Sequence, residues 1–161
     1  MYWGDNATAG PYWIYQTLTA TASASNSYVL SVWLYNEART WIETTHLEDK
    51  FLMGSPDWAA SSVAGYLQRP IYYLDCECFG THVVWNEQRA DFLDRDEMVG
   101  RATKAMTAEG KNEGYLIVNH DYRFGRQTAA PDFVFEPIKR FPEAFVSDER
   151  YVIYRVRPRE N

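Results

Sequence analysis

A helix with clear start and stop signals lies between two apolar segments, and this arrangement constrains the fold most. The first segment, residues 50–54, stops at Ser55-Pro56, a pair that suits a helix N-terminus. The helix predicted over residues 56–68 ends at Arg69-Pro70, because a residue before proline is disfavoured in the helical region. Residues 71–74 then predict a second strand. The order predicts a β-α-β unit with parallel strands.

Helix and strand signals continue to alternate further along the chain. Asp94 and Glu97 form a capping box ahead of a helix predicted to end near Gly110. Residues 115–118 are wholly apolar, which is typical of a central parallel strand. Apolar and polar side chains alternate along residues 151–157, with the arginines on one side, and this predicts a half-exposed strand near a sheet edge.

Two other segments are harder to assign. Apolar residues recur at helical spacing over residues 27–45 and predict an amphipathic helix, although residues 28–35 are β-prone and a strand is the alternative there. Residues 133–145 are apolar but contain Pro137 and Pro142, so any helix there must be short or kinked.

Together these elements predict an α/β domain: a mostly parallel sheet with helices packed on its faces, that is, a Rossmann-like sandwich. The last strand could instead run antiparallel at an edge. Asp5 is the only charged residue among positions 1–36, and the rest of the chain is densely charged. We therefore predict an extended lead-in over residues 1–26 and a single domain over residues 27–161.

Charge and short motifs exclude several functions. Lys and Arg total 16 against 22 Asp and Glu, and the net charge of −6 disfavours nucleic acid as a partner. Residues 54–57 have one glycine and no following lysine, so they do not form a phosphate-binding loop. Cys76 and Cys78 lack the further ligands that a zinc site needs, so we expect two ordinary thiols, no metal and no cofactor.

Polar residues follow the predicted strands. Asp57 comes after the first strand, Asp75 after the second, and His120 and Asp121 after the third. Parallel strands would place these side chains at one rim of the sheet, where ligands bind in open α/β folds. An aspartate could orient the imidazole while another carboxylate acts as acid, base or metal ligand. The alternative is that Asp57 caps a helix and Asp75 forms a turn.

Aromatic residues offer a second candidate surface. Trp85 stands beside the polar run Asn86-Glu87-Gln88-Arg89, which suits a sugar-stacking surface as well as an ordinary strand end. Trp58, Tyr73 and Trp85 are therefore the candidate aromatic binding surface.

The stretch GSPDWAASSVAGYLQRPIYY at residues 54–73, with WNEQR at residues 85–89, resembles part of a known family. It is similar to the soluble C-terminal domain of multi-pass bacterial membrane proteins resembling dolichyl-phosphate-mannose mannosyltransferases, and the likeness covers residues 27–157. It implies a non-catalytic, extracytoplasmic, membrane-associated accessory domain that contacts carbohydrate or the membrane-embedded part of a larger protein. In that family the catalytic acidic residues lie in loops of the membrane-embedded part. The resemblance therefore implies no catalytic residue in this sequence.

An alternative function also follows from the residues at the rim. The chain could be a free-standing cytoplasmic enzyme for a small molecule, with Asp57, Asp75, His120 and Asp121 as its acidic and histidine site.

Overall fold

The computed structural model describes residues 13–23, 26–35, 41–83, 85–120, 122, 132–142 and 150–160. The chain divides into two compact units, Met1–Glu37 and Ala38–Asn161. No helix among these described residues is long and apolar enough to cross a bilayer.

The first unit contains a β-hairpin. Strand β1 (Trp13–Ser23) pairs antiparallel with β2 (Asn26–Tyr35), from Trp13 opposite Tyr35 to Ser23 opposite Asn26. The helix predicted over residues 27–45 is therefore wrong across β2, and the strand alternative is confirmed, because this segment is rich in β-branched and aromatic residues. Residues 41–44, in the second unit, are helical.

The second unit is built on a six-stranded sheet with two long helices. Its strands are β3 (Leu52–Ser55), β4 (Ile71–Tyr73), β5 (Cys78–Gly80), β6 (Gly114–Val118), β7 (Phe133–Arg140) and β8 (Val152–Pro158), and its helices are α1 (Asp57–Leu67) and α2 (Arg95–Ala108). The strand order is β5-β4-β3-β6-β8-β7.

The sheet is mixed, so the predicted mostly parallel, Rossmann-like sandwich is wrong. Strand β3 runs parallel to β4 and β6, but the β4–β5, β6–β8 and β7–β8 pairs are antiparallel. The turn after β4 reverses the chain directly into β5 without a crossover helix. Strand β8 runs antiparallel to both of its neighbours, as the alternative for the last strand predicted, but it lies between β6 and β7 and is largely buried, so its predicted position at an edge is wrong. An apolar run does not by itself encode the direction of its neighbours.

Strand β7 occupies the segment in which the two prolines suggested a short or kinked helix. Pro137 lies within this strand, and the pairing register with β8 shifts between Pro137 and Lys139. An outer strand tolerates proline because the missing N–H removes no bond from a ladder on its far side.

The two helices pack on opposite faces of the sheet. Successive strand residues alternate in direction, so Leu52 contributes to the core under α1 and Met53 to the core under α2. The α1 side is closely packed, because a Cβ atom added to Gly54 would lie 2.3 Å from the Cβ of Ala60. Short residues at this contact let α1 lie directly against β3.

Strand β3 is the point from which the chain connects to both sides of the sheet. Helix α1 leads from β3 to β4 on one side, and α2 leads back across to β6 on the other side. In α/β sheets, such a reversal of strand order opens a crevice at the carboxyl ends of the strands, where ligands bind.

Candidate functional site

A cavity of about 110 Å³ lies where this reversal predicts a crevice. Its polar lining comes from residues that end or follow β3, β4 and β6, and its aromatic lining comes from α1 and from the loop before α2. Its lining includes Ser55, Trp58, Asp75, Phe92, Asn119 and His120.

Asp75 is the buried carboxylate of this cavity and is only 1% exposed. Its Oδ2 accepts a hydrogen bond of 3.1 Å from the backbone N–H of Asp57. Its Oδ1 is buried and has no hydrogen-bond partner among the described residues. Burial, followed by the charge of Asp57, raises the pKa of Asp75 to about 6, and the opposing effects of Ser55 and Arg89 are smaller. The site therefore contains an unused acceptor that titrates close to neutrality.

Asp57 is equally buried, but its hydrogen-bonding capacity is used. Arg89 binds it with both arms of the guanidinium, from Nε to Oδ2 at 2.6 Å and from Nη2 to Oδ1 at 2.7 Å. Hydrogen bonding to Asp57 raises the pKa of Arg89. A bidentate pair of this kind neutralises both charges and fixes their geometry. Asp57 therefore has a structural role next to Asp75 and is not among the residues that line the cavity.

Two further contacts hold Arg89. Its guanidinium carbon lies 4.3 Å from the ring centre of Trp85, within the range of a cation–π contact. Its Nη1 lies 3.2 Å from Asp91 Oδ1, on a side chain that is almost fully exposed. Both of these contacts lie within the loop before α2, and the Arg89–Asp57 pair ties that loop to the start of α1.

The structure brings together three of the four residues predicted at the rim. Asp57 and Asp75 are in direct contact, and His120 lines the same cavity as Asp75. Asp121, the fourth, lies outside the described residues.

The aromatic candidates are separated. Trp58 is 43% exposed and lines the cavity, whereas Trp85 is 73% exposed and covers Arg89. Tyr73 is buried in the core under α1, and burial raises the pKa of its hydroxyl strongly. Tyr73 points inward because alternate residues of β4 face opposite sides of the sheet.

Sequence reasoning missed the part of the cavity wall formed by the loop before α2. Phe92 is 72% exposed, and Asp91 precedes it. The available signal was the capping residue Asp94, because a helix that leads back to a parallel strand starts at the rim where ligands bind.

Helix α1 begins differently from its prediction. Its N-cap is Pro56, with no side-chain capping bond, so Ser55 does not cap it. Ser55 instead lines the cavity and interacts with the carboxyl of Asp75.

Cys76 and Cys78 form a disulfide with each other and are therefore not two separate thiols. Glu77 between them adopts a positive φ of 49°. Within the described parts of the chain, no group of three or more His, Cys, Asp or Glu side chains is arranged to hold a metal ion.

The chain matches no protein-family model, no curated protein and no solved structure. The cavity and the chemistry of its lining are therefore the features that indicate a function.

Proposed function

We propose that the chain is a non-catalytic accessory domain of a membrane glycosyltransferase-like protein and that it binds carbohydrate in the cavity beside Asp75. The observation that carries this proposal is the buried Asp75 Oδ1, which has no hydrogen-bond partner among the described residues, on a residue that lines a cavity together with Trp58 and Phe92. A sugar hydroxyl can donate to such an oxygen, and the C–H face of a sugar ring packs against aromatic side chains. Ser55 and Asn119 add further polar groups to the same lining.

The proposed location is extracytoplasmic, next to the membrane-embedded part of a larger protein. The Cys76–Cys78 disulfide supports this location, because disulfides persist in oxidising compartments and are rare where thiol reductants act. The sequence likeness over residues 54–73 supports attachment to a membrane protein.

Binding of simple sugars to the full chain tests the proposal. Titration with glucose and mannose, followed by NMR shifts, should show saturable binding that Trp58→Ala weakens by about tenfold, which corresponds to about 1.4 kcal/mol. The matched control is Phe79→Ala, which removes an aromatic side chain of similar exposure on β5, outside the described cavity lining. Absence of binding, or an equal loss in both variants, would refute the sugar site.

A second candidate function is favoured by one specific observation. The pKa of Asp75, raised to about 6, suits a general acid or base near neutral pH, and His120 lines the same cavity. This is the chemistry of a free-standing small-molecule enzyme. A panel of chromogenic glycosides and esters distinguishes the two candidates: turnover by the intact chain that Asp75→Asn abolishes would replace the non-catalytic proposal.

A further inference from the structure

We infer that the ligand of this cavity is an amino sugar whose protonated amine binds Asp75 Oδ1. This inference rests on the proposed carbohydrate site and specifies its ligand. It follows from how the charges around the cavity are paired.

Carboxylates line the cavity, but no lysine or arginine among the described residues lines it to balance their charge. Of the described residues that line it, Asp75 and Asp91 are acidic, and none is a lysine or an arginine. Asp91 is almost fully exposed and already contacts Arg89, so solvent screens its charge. Asp75, in contrast, is 1% exposed. Asp75 is therefore the buried acidic group of the described lining, and its Oδ1 has no hydrogen-bond partner among the described residues.

The nearest arginines are committed elsewhere. Arg89 uses Nε and Nη2 on Asp57 and Nη1 on Asp91. Arg101 donates from Nη1 to the backbone carbonyls of Leu74 and Asp75, each at 3.0 Å, and these bonds hold the turn. Neither arginine donates a hydrogen bond to Asp75 Oδ1, which has no partner within the described part of the chain.

A protonated amine satisfies this oxygen better than a hydroxyl does. Both groups donate a hydrogen bond, but only the ammonium also supplies the opposite charge, and charge-assisted bonds are about twice as strong as neutral ones. The aromatic lining points the same way, because the faces of Trp58 and Phe92 attract an organic cation.

Several other titratable groups surround Asp75, and their protonation is a separate source of pH dependence. Those that face it or share its cavity are Asp57 on α1, Arg89 and Asp91 in the loop before α2, and His120 and Tyr122 after β6. Amine binding requires the ionised form of Asp75. Because the pKa of Asp75 is raised to about 6, the preference for an amine should fade as the pH falls below that value.

The experiment compares glucosamine, glucose and N-acetylglucosamine on the full chain by titration calorimetry at pH 7.0 and pH 5.0. At pH 7.0 we expect glucosamine to bind at least about tenfold more tightly than either neutral sugar, a difference of about 1.4 kcal/mol. At pH 5.0 the ratio should fall to about threefold or less. Asp75→Asn should abolish the preference at both pH values, whereas Glu87→Gln, which removes an exposed carboxylate outside the described cavity lining, should keep it.

Each outcome decides between the two proposals. Equal binding of glucosamine and glucose overturns the amine inference and leaves the sugar site standing. Failure of all three sugars to bind refutes the sugar site itself. Ethanolamine binding as tightly as glucosamine shows a site that recognises only the amine, and this also refutes the sugar site. If Asp75→Asn does not fold, the pH dependence of the unmodified chain still decides: a ratio unchanged at pH 5.0 overturns the assignment to Asp75.

Discussion

Asp57 and Asp75 are neighbouring buried carboxylates, yet only Asp57 is paired with an arginine. The bidentate contact with Arg89 makes Asp57 part of the structure, whereas Asp75 keeps one oxygen unpartnered among the described residues and a raised pKa. An oxygen left without a partner inside a folded chain costs free energy, and the proposed ligand would satisfy it.

The raised pKa of Asp75 predicts a pH-dependent gain in stability for Asp75→Asn. Because the folded-state pKa rises from 3.8 to about 6, the contribution of this group to stability is complete below pH 3.8 and is lost as the pH rises through 6. Because an asparagine never ionises, the free energy of unfolding of the variant should be higher than that of the unmodified protein by up to about 3 kcal/mol at pH 8. This difference should disappear near pH 4. Urea unfolding at pH 4, 6 and 8 measures the difference.

The control for this series is Glu87→Gln, which removes an exposed carboxylate and should change stability little at any pH. A loss of stability for Asp75→Asn that is the same at every pH would contradict the prediction, because it would reflect a lost hydrogen bond and not a buried charge.

Removing Arg89 should show how much the buried Arg89–Asp57 pair contributes to the free energy of unfolding. Arg89→Met leaves Asp57 charged and buried without its partner, so we expect the free energy of unfolding to fall by about 3–5 kcal/mol. Arg95→Met, which removes the exposed partner of Asp96, should cost less than about 1 kcal/mol. Chemical denaturation of both variants measures the contrast, and similar costs would argue against a structural role for the pair.

At the residue scale, the sequence predicted which side chains reach the rim but not how they pair. Asp75 directly follows a predicted strand and His120 lies two residues after another, so their approach to one cavity could be foreseen. Arg89 binds Asp57 across 32 residues of sequence, and only the path of the intervening chain brings them together. The inward position of Tyr73 was equally hidden, because a three-residue strand is too short to show an alternating pattern.

Among the elements, those with strong local signals were predicted and those decided by tertiary pairing were not. Helix α1 and strands β3 and β4 lie close to their predicted positions, because the apolar runs and the Arg69-Pro70 stop are local. Strand β5 was missed because it is three residues long and pairs only with β4. Strand β7 was missed because prolines usually argue against strands, and its outer position removes that objection.

The capping box of α2 is a local signal that the structure confirms. The Asp94 side chain accepts bonds from the N–H groups of Asp96 and Glu97, and Glu97 accepts from the N–H of Asp94. Asp94→Ala should therefore lower the free energy of unfolding by about 1 kcal/mol. Thermal unfolding monitored by circular dichroism measures the change. Asp96→Ala is the matched control, because that side chain caps nothing, and an equal loss would contradict the capping role.

For the whole molecule, the division into two units predicts that residues 38–161 fold without the hairpin unit. Their sheet, both long helices and both core clusters lie within that range. A chain of residues 38–161 should unfold cooperatively, with a midpoint within about 3 °C of the full chain, because one cooperative core determines the transition. Differential scanning calorimetry of both chains provides the comparison. A broad, non-cooperative transition for the shorter chain would show that residues 38–161 do not fold stably without the hairpin unit.

The two ends of the six-stranded sheet have a consequence for behaviour at high concentration. One outermost described strand, β5, is only three residues long, and the other, β7, carries Pro137, a register shift and the cations Lys139 and Arg140. Short length, proline, irregular register and positive charge each hinder the docking of a foreign backbone. Neither margin offers a regular ladder, so crowded copies of this unit should resist fusing their sheets into amyloid-like fibrils.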